Sequence, residues 1–199
     1  FSSRRRHTRF RNVTGVQTCA LPIFVKGIFP QSNILMIEAN HDKEKILKKI
    51  GNYKIALLSS EEKKEVDYYK SVGSDASGNS IYLENTNYKF IPEKRITSTL
   101  KFILPKDSNY DLIKMDVQGS ELDIIKGGLD IVKKSKFLLL ELQIFEYNKG
   151  APMIHDVFKF LKDINFELID IFDLLYSSDG SLIQLDGLFK NKILNDQKN

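Results

Sequence analysis

The chain has 199 residues, of which 42% are hydrophobic and 11% aromatic, enough for one domain with a real core. No apolar run approaches the ~18 residues of a membrane-crossing helix, no internal period marks a repeat array, and 11 glycines with five prolines argue against a disordered or collagen-like chain. The formal charge of +4 does not signal a nucleic-acid partner: residues 1–23 hold five arginines and no acid, and the remainder carries 25 basic against 26 acidic residues.

Residues 1–23 have arginines followed by a short apolar patch that contains Cys19. A secretory signal needs an apolar core of roughly 7–15 residues. Here Gln17, Thr18 and Pro22 interrupt it. A basic nucleic-acid arm and a mitochondrial presequence are the other targeting readings. The segment resembles translated sequencing-library adapter, which would exclude it from fold reasoning. The expected division is therefore 1–23 as non-native and 24–199 as the folded domain. Cys19 is the one cysteine, so the body needs no oxidising compartment, as expected of a cytoplasmic protein.

From Phe24 onward strand and helix signals alternate. Asn33 to Ile37 is a short apolar run that ends at Glu38-Ala39-Asn40, which predicts a buried strand. Asp42 is placed to cap a helix carrying Ile46, Leu47 and Ile50, stopped by Gly51-Asn52. Tyr53 to Leu58 predicts a second buried strand. Between Lys63 and Leu100 the turn signals Gly73-Ser74-Asp75 and Ser77-Gly78-Asn79, with the runs Ile81-Tyr82-Leu83 and Arg95-Ile96-Thr97, predict a hairpin-rich insertion.

The alternation then resumes. Asp111 to Met115 predicts a strand, and Gly119 to Lys134 an amphipathic helix with Leu122, Ile125, Leu129 and Val132 on one face. Phe137 to Leu142 is apolar on both faces, as in a central parallel strand. Pro152 opens a helix with Val157, Phe158, Leu161 and Ile164 inward. Phe166 to Phe172 and Leu182 to Phe189, joined by Ser177-Ser178-Asp179-Gly180, predict an antiparallel hairpin. Repeated strand–helix–strand units imply a doubly wound α/β sheet. In such sheets ligands bind beyond the carboxyl ends of the strands.

Three strand ends carry polar groups suited to a nucleoside-like ligand. Glu38 can accept both hydroxyl protons of a ribose, with Asn40 beside it; the plainer reading is a capping or surface acid. Ala56, before Ser59-Ser60, leaves room for a flat ring. Asp116 is delivered by a buried strand, where a carboxylate needs a partner to offset lost hydration. Gly119 permits a tight turn, and Glu121 falls in a first helical turn that favours an acid.

The run Asp111 to Gly128, DLIKMDVQGSELDIIKGG, resembles the signature of FkbM-type methyltransferases, in the order ILMIEAN, YKIALLSS, RITSTL, this signature, FLLLELQ and NKGAPMIHDVFKFLKDINFELIDI. The resemblance covers about Phe24 to Phe189. It implies a Rossmann-like class I methyltransferase sheet closed by the antiparallel hairpin. It also implies methyl transfer from S-adenosylmethionine to a hydroxyl on a glycan, lipid-linked sugar or natural product.

Carried over residue by residue, Glu38 with Asn40 binds ribose and Ala56 lies near adenine. Asp116 and Gln118 border the methionine part and the acceptor. Asp116, Glu121 and Glu141 are the candidate bases, His155 is a helix-terminal surface residue or an acceptor-pocket base, and no metal ligands are assigned. The insertion and residues 147–154 would line the acceptor pocket. Two positions depart from the pattern. Lys101 stands where the family has Asp, and the opening strand with its D-x-G-x-x-x-G-like turn would fall within 1–23. The first strand and glycine loop are thus expected to be missing, leaving this chain unstable or partly folded and inactive. A nicotinamide-dependent oxidoreductase would also use Glu38, but its G-x-G-x-x-G turn is lacking here.

Overall fold

The computed structural model describes residues 17–72, 78–177 and 179–195. The turn signals at Gly73-Ser74-Asp75, Ser77 and Ser178, and residues 1–16, lie outside the described residues. The architecture is mixed α/β with several sheets.

Helix α1 (Gln17–Ile28) precedes strand β1 (Leu35–Glu38). A single 3-10 turn leads into α2 (Glu44–Ile50), which buries Leu47. The cap is not the expected Asp42: Asn40 takes the extended conformation and its Oδ1 accepts the Asp42 amide at 3.0 Å. An Asn at that place satisfies an orphan amide two residues on and adds an extra turn before the helix. Gly51 ends α2 as expected.

The second strand is split into β2 (Asn52–Ile55) and β3 (Leu57–Leu58). β2 lies parallel to β1, pairing Glu38 with Ile55. At Ala56 the chain changes partner: its amide still donates to Glu38 at 2.9 Å, while β3 pairs parallel with the end of β5. β4 (Glu65–Ser71) and β5 (Phe90–Ser98) form the antiparallel pair of the insertion. The return strand β5 is thus shared with β3, so the insertion is built into its sheet. The expected strand at Ile81-Tyr82-Leu83 is absent. Only isolated bridges flank it, Ser80 with Tyr69 and Glu84 with Asn148, because that backbone is claimed by a distant loop.

Helix α3 (Leu100–Ile103) is capped by Thr99, whose Oγ1 accepts the Phe102 amide at 3.2 Å. It leads to β6 (Leu112–Met115). The expected helix over 119–134 is two helices, α4 (Glu121–Gly127) and α5 (Leu129–Val132), broken at Gly128. The break follows packing: a Cβ on Gly127 would stand 2.1 Å from the Ser59 carbonyl oxygen, and one on Gly128 2.4 Å from Leu100 Cβ. Helix α4 lies against β3 through this contact.

β7 (Phe137–Gln143) runs parallel to β6, and α6 (Ile154–Asp163) follows it. β8 (Phe166–Tyr176) and β9 (Leu182–Asn191) make the expected antiparallel hairpin, and α7 (Lys192–Asn195) closes the described chain. The sheet order is β6-β7-β9-β8, so β7 has one parallel and one antiparallel neighbour. The core sits between this sheet and α4, α5 and α6. It includes Leu138, Leu140, Leu142, Leu161 and Phe189, each at most 1% exposed, worth about 1.5–3 kcal/mol apiece in burial. Phe158 meets Phe189 edge to face at 5.4 Å. Among the described residues no helix is long and apolar enough to cross a membrane.

Candidate active site

The predicted site residues fall into two groups, each at the carboxyl ends of parallel strands. The first is on β1 and β2. Glu38 closes β1, and its Oε1 accepts the Asn40 amide at 2.8 Å, so the carboxylate sits over the turn that follows the strand. Ala56 is directly beside it through the backbone bond to the Glu38 carbonyl. Asn40 is buried and faces inward as a cap. The turn is braced from the insertion: Arg95 Nη2 donates to the Ala39 carbonyl at 3.0 Å, and its guanidinium lies 5.3 Å over the Tyr68 ring. Tyr68 is 2% exposed; burial and then the Glu38 charge push its hydroxyl above the usual phenol range.

The second group is at the end of β6. Asp116 leaves the strand, and the turn continues through Gln118 at φ 53° and Gly119 at φ 94°. A side chain on Gly119 would also meet Ala151 Cβ at 2.6 Å, so this turn requires glycine twice over. Gln118 pays a left-handed backbone and gains a central place: its Nε2 donates to Glu141 Oε2 at 2.7 Å and reaches Asp116 Oδ1 at 3.5 Å. Glu141 comes from β7, one strand over. Lys114 Nζ stands 3.3 Å from Asp116 Oδ2 and 3.6 Å from Asp186 Oδ2.

Glu121 is 4% exposed and turns back on its own loop, where Oε1 accepts the Val117 amide at 3.1 Å. Burial pushes its carboxyl up to about 7, against backbone amides that pull it down. Burial, then the Asp116 and Glu121 charges, holds the Glu141 carboxyl well above the ordinary carboxylate range. Burial also raises Asp186, opposed by Lys114. Lys114 is itself raised, because Asp116 and Asp186 outweigh the burial that opposes its charge.

The structure therefore brings Asp116, Gln118, Glu121 and Glu141 together, and brings Glu38, Asn40 and Ala56 together. The two groups stand on different sheets. His155 is exposed on the first turn of α6, and Lys101 is exposed on α3, 3.9 Å from Asp130. Among the described residues no three His, Cys, Asp or Glu side chains are arranged to hold a metal ion. A cavity of about 410 Å³, lined by Pro22, Asn33, Met36 and Asn52 among others, lies at the amino end of β1, away from the strand ends.

Sequence reasoning pointed to the insertion and residues 147–154 as pocket-lining segments but did not reach the individual contacts that they make around the β6 turn. Ser80 Oγ donates to the Gln118 carbonyl at 2.8 Å, and the Tyr82 hydroxyl donates to Asp123 at 2.5 Å. Asn148, wholly buried, donates to the Tyr82 carbonyl at 3.1 Å and accepts from Gln143 at 2.8 Å. Tyr147 donates to Glu84 at 2.7 Å. Residues 80–86 and 143–151 are thus one hydrogen-bonded unit around the signature turn. The signal available was a run of Tyr, Asn and Glu in a stretch without period. Arg95, Gln184 and Asp186 were missed as well.

A family model described as Methyltransferase FkbM domain matches residues 18–168. The match begins inside α1, on the amino side of the expected Ile23/Phe24 boundary. No curated protein and no solved structure matches the chain.

Proposed function

The chain belongs to the FkbM methyltransferase family, and from that premise we propose that it is built for S-adenosylmethionine-dependent O-methylation of a hydroxyl on a glycan, lipid-linked sugar or natural product. The observation that carries this reading is the Asp116–Gln118–Glu141 cluster at the ends of two parallel strands, inside the family match. The residues present fit the cofactor in chemistry. Glu38 offers a carboxylate for a ribose diol, and Ala56 leaves space beside it. Asp116, Glu141 and Asp186 gathered beside Lys114 suit a ligand that carries a sulfonium and an ammonium.

When bound, the cofactor would supply an electrophilic methyl to the acceptor oxygen, with the electron pair of the broken S–C bond left on sulfur. The hydroxyl proton passes to a carboxylate of the cluster. Asp116 and Glu141 are the candidates for that proton, joined through Gln118. Glu121 is better suited to holding the turn, since its carboxylate is already engaged by the turn's own amide. Most of the rate would come from positioning an in-line displacement.

The proposal carries a doubly wound, Rossmann-like arrangement with it. There, one further parallel strand and its glycine turn would lie between β1 and β6, which are edge strands of their sheets. It also takes residues 24–199 as the methyltransferase portion, 1–23 as foreign to it, the cytoplasm as its compartment, and this chain as inactive. One experiment tests the set: sequence the source DNA across codons 23 and 24, then titrate S-adenosylmethionine and NADH against the product it encodes. An upstream frame with a glycine turn and selective S-adenosylmethionine binding is the expected result. NADH binding instead, or neither ligand binding, overturns the reading.

A further inference from the structure

The family match ends at residue 168, yet the closing strand β9 reaches into the carboxylate cluster. Register places Asp186 directly opposite Glu141, and residues so opposed on antiparallel strands project from the same face. Gln184, two residues earlier on β9, shares that face. Its Nε2 donates to Glu141 Oε1, while Gln118 donates to Oε2 at 2.7 Å. Each oxygen of Glu141 is thereby held by its own amide, one from the β6 turn and one from the hairpin.

Asp186 does the same for the lysine. Lys114 lies between Asp116 at 3.3 Å and Asp186 at 3.6 Å, with the Lys114 side chain 21% exposed and Asp186 14%. The neighbours on this face of β9, Leu182 and Leu188, are apolar. Two successive polar positions on this face fall where the strand passes Glu141 and Gln143; the other polar residue on it, Lys190, stands opposite Phe137 at the far end of the strand. A strand present only to close a sheet has no need of two polar, largely covered side chains there, where each must be matched.

We propose that Gln184 and Asp186 are positioning residues of the methyl-transfer site, Gln184 fixing the Glu141 carboxylate against Gln118 and Asp186 fixing Lys114 against Asp116. This rests on the methyl-transfer reading above. Among the described residues the charged and titratable groups around Glu141 are Lys114 from β6, Asp116 just after it, Glu121 from α4, Tyr147 from the loop after β7 and Asp186 from β9; Asp173 of β8 acts on Asp186. An amide donor favours the ionised carboxylate, whereas a second carboxylate opposes it. The two residues therefore act on Glu141 with opposite sign.

The test is a pH titration of the full chain labelled with carbon-13 at its carboxyl groups, with Glu141 assigned through Glu141→Gln. Gln184→Met should raise the Glu141 midpoint by about one pH unit, the loss of one hydrogen bond to a charged group. Asp186→Asn should lower it. A merely structural role moves neither midpoint in a folded variant, or moves both the same way, and either result overturns the proposal. Should Gln184→Met fail to fold, Gln184→Asn replaces it, with a smaller upward shift expected. The unmodified chain provides a check that needs no variant: the Gln184 side-chain amide should shift with the Glu141 titration, and an amide that does not follow it overturns the proposal. S-adenosylmethionine affinity is measured separately, so failure of the methyl-transfer reading is distinguishable from failure of this geometry.

Discussion

Glu121→Gln separates a structural carboxylate from a catalytic one. Glu121 is wholly enclosed, and burial raises its carboxyl from an ordinary 4.5 to about 7. A carboxyl raised on folding stabilises the native state below its unfolded value, and that stability is lost as pH climbs through the folded value. The window here runs from about pH 4.5 to 7. At about 1.4 kcal/mol per pH unit, the loss between pH 4.5 and pH 8 is on the order of 3 kcal/mol. Glutamine keeps one oxygen for the Val117 amide and cannot ionise. Urea unfolding followed by circular dichroism at pH 5, 6, 7 and 8 should show the unmodified chain losing stability with rising pH. Glu121→Gln should lose less by roughly 2.5 kcal/mol over that range, and should be the more stable of the two at pH 8. Parallel profiles for the two proteins would refute the reasoning, because they would mean that Glu121 titrates at the same pH in the native and unfolded states.

Three further outcomes follow from packing and charge. Gly127→Ala should destabilise the chain by about 2 kcal/mol or more, since its Cβ would meet the Ser59 carbonyl oxygen at 2.1 Å and backbone cannot step aside cheaply; the urea midpoint reads this, and Gly27→Ala, with nothing within 4 Å, should leave it nearly unchanged. Asn148→Ala should cost about 2–3 kcal/mol by stranding the Gln143 amide and the Tyr82 carbonyl, and amide exchange over residues 80–86 should accelerate with it. Among the described residues Lys114 is the cation paired with Asp116 and Asp186, so Lys114→Met should lower stability at pH 8 by roughly 2 kcal/mol, and by less at lower pH, because burial raises the Asp186 carboxyl and lets it protonate sooner; a pH-independent loss would contradict the pairing.

Strand ends were the most legible feature of the sequence. An apolar run that stops at a carboxylate has few physical readings: Glu38 is the last residue of β1 and Asp116 directly follows β6, as the runs imply. Where local pattern and tertiary contact competed, contact won. Residues 119–134 have unbroken helical spacing, yet Leu100 packs where a Cβ of Gly128 would be and the helix breaks there. Ile81-Tyr82-Leu83 has strand composition, yet Asn148 takes its backbone and no ladder forms. Asp42 is a good cap by type, but Asn40 caps instead, two residues earlier, by accepting the amide of Asp42 itself.

The residues around Glu141 show a different limit. Gln118 is 23 positions away and Gln184 is 43, so no window of sequence joins them to it. What joins them is register. Once β7 and β9 pair with Glu141 opposite Asp186, the period of two in a strand fixes which β9 side chains can reach the carboxylate. A slip of one residue would set Leu185 opposite Glu141 and Ile183 opposite Gln143, and send Asp186 and Gln184 to face Leu140 and Leu142. That slip is opposed by both a buried charge and a lost core. The apolar face of the hairpin therefore does more than cover the sheet: by fixing register it holds the polar face in place, and the hydrophobic pattern of β9 becomes part of how the carboxylate cluster is assembled.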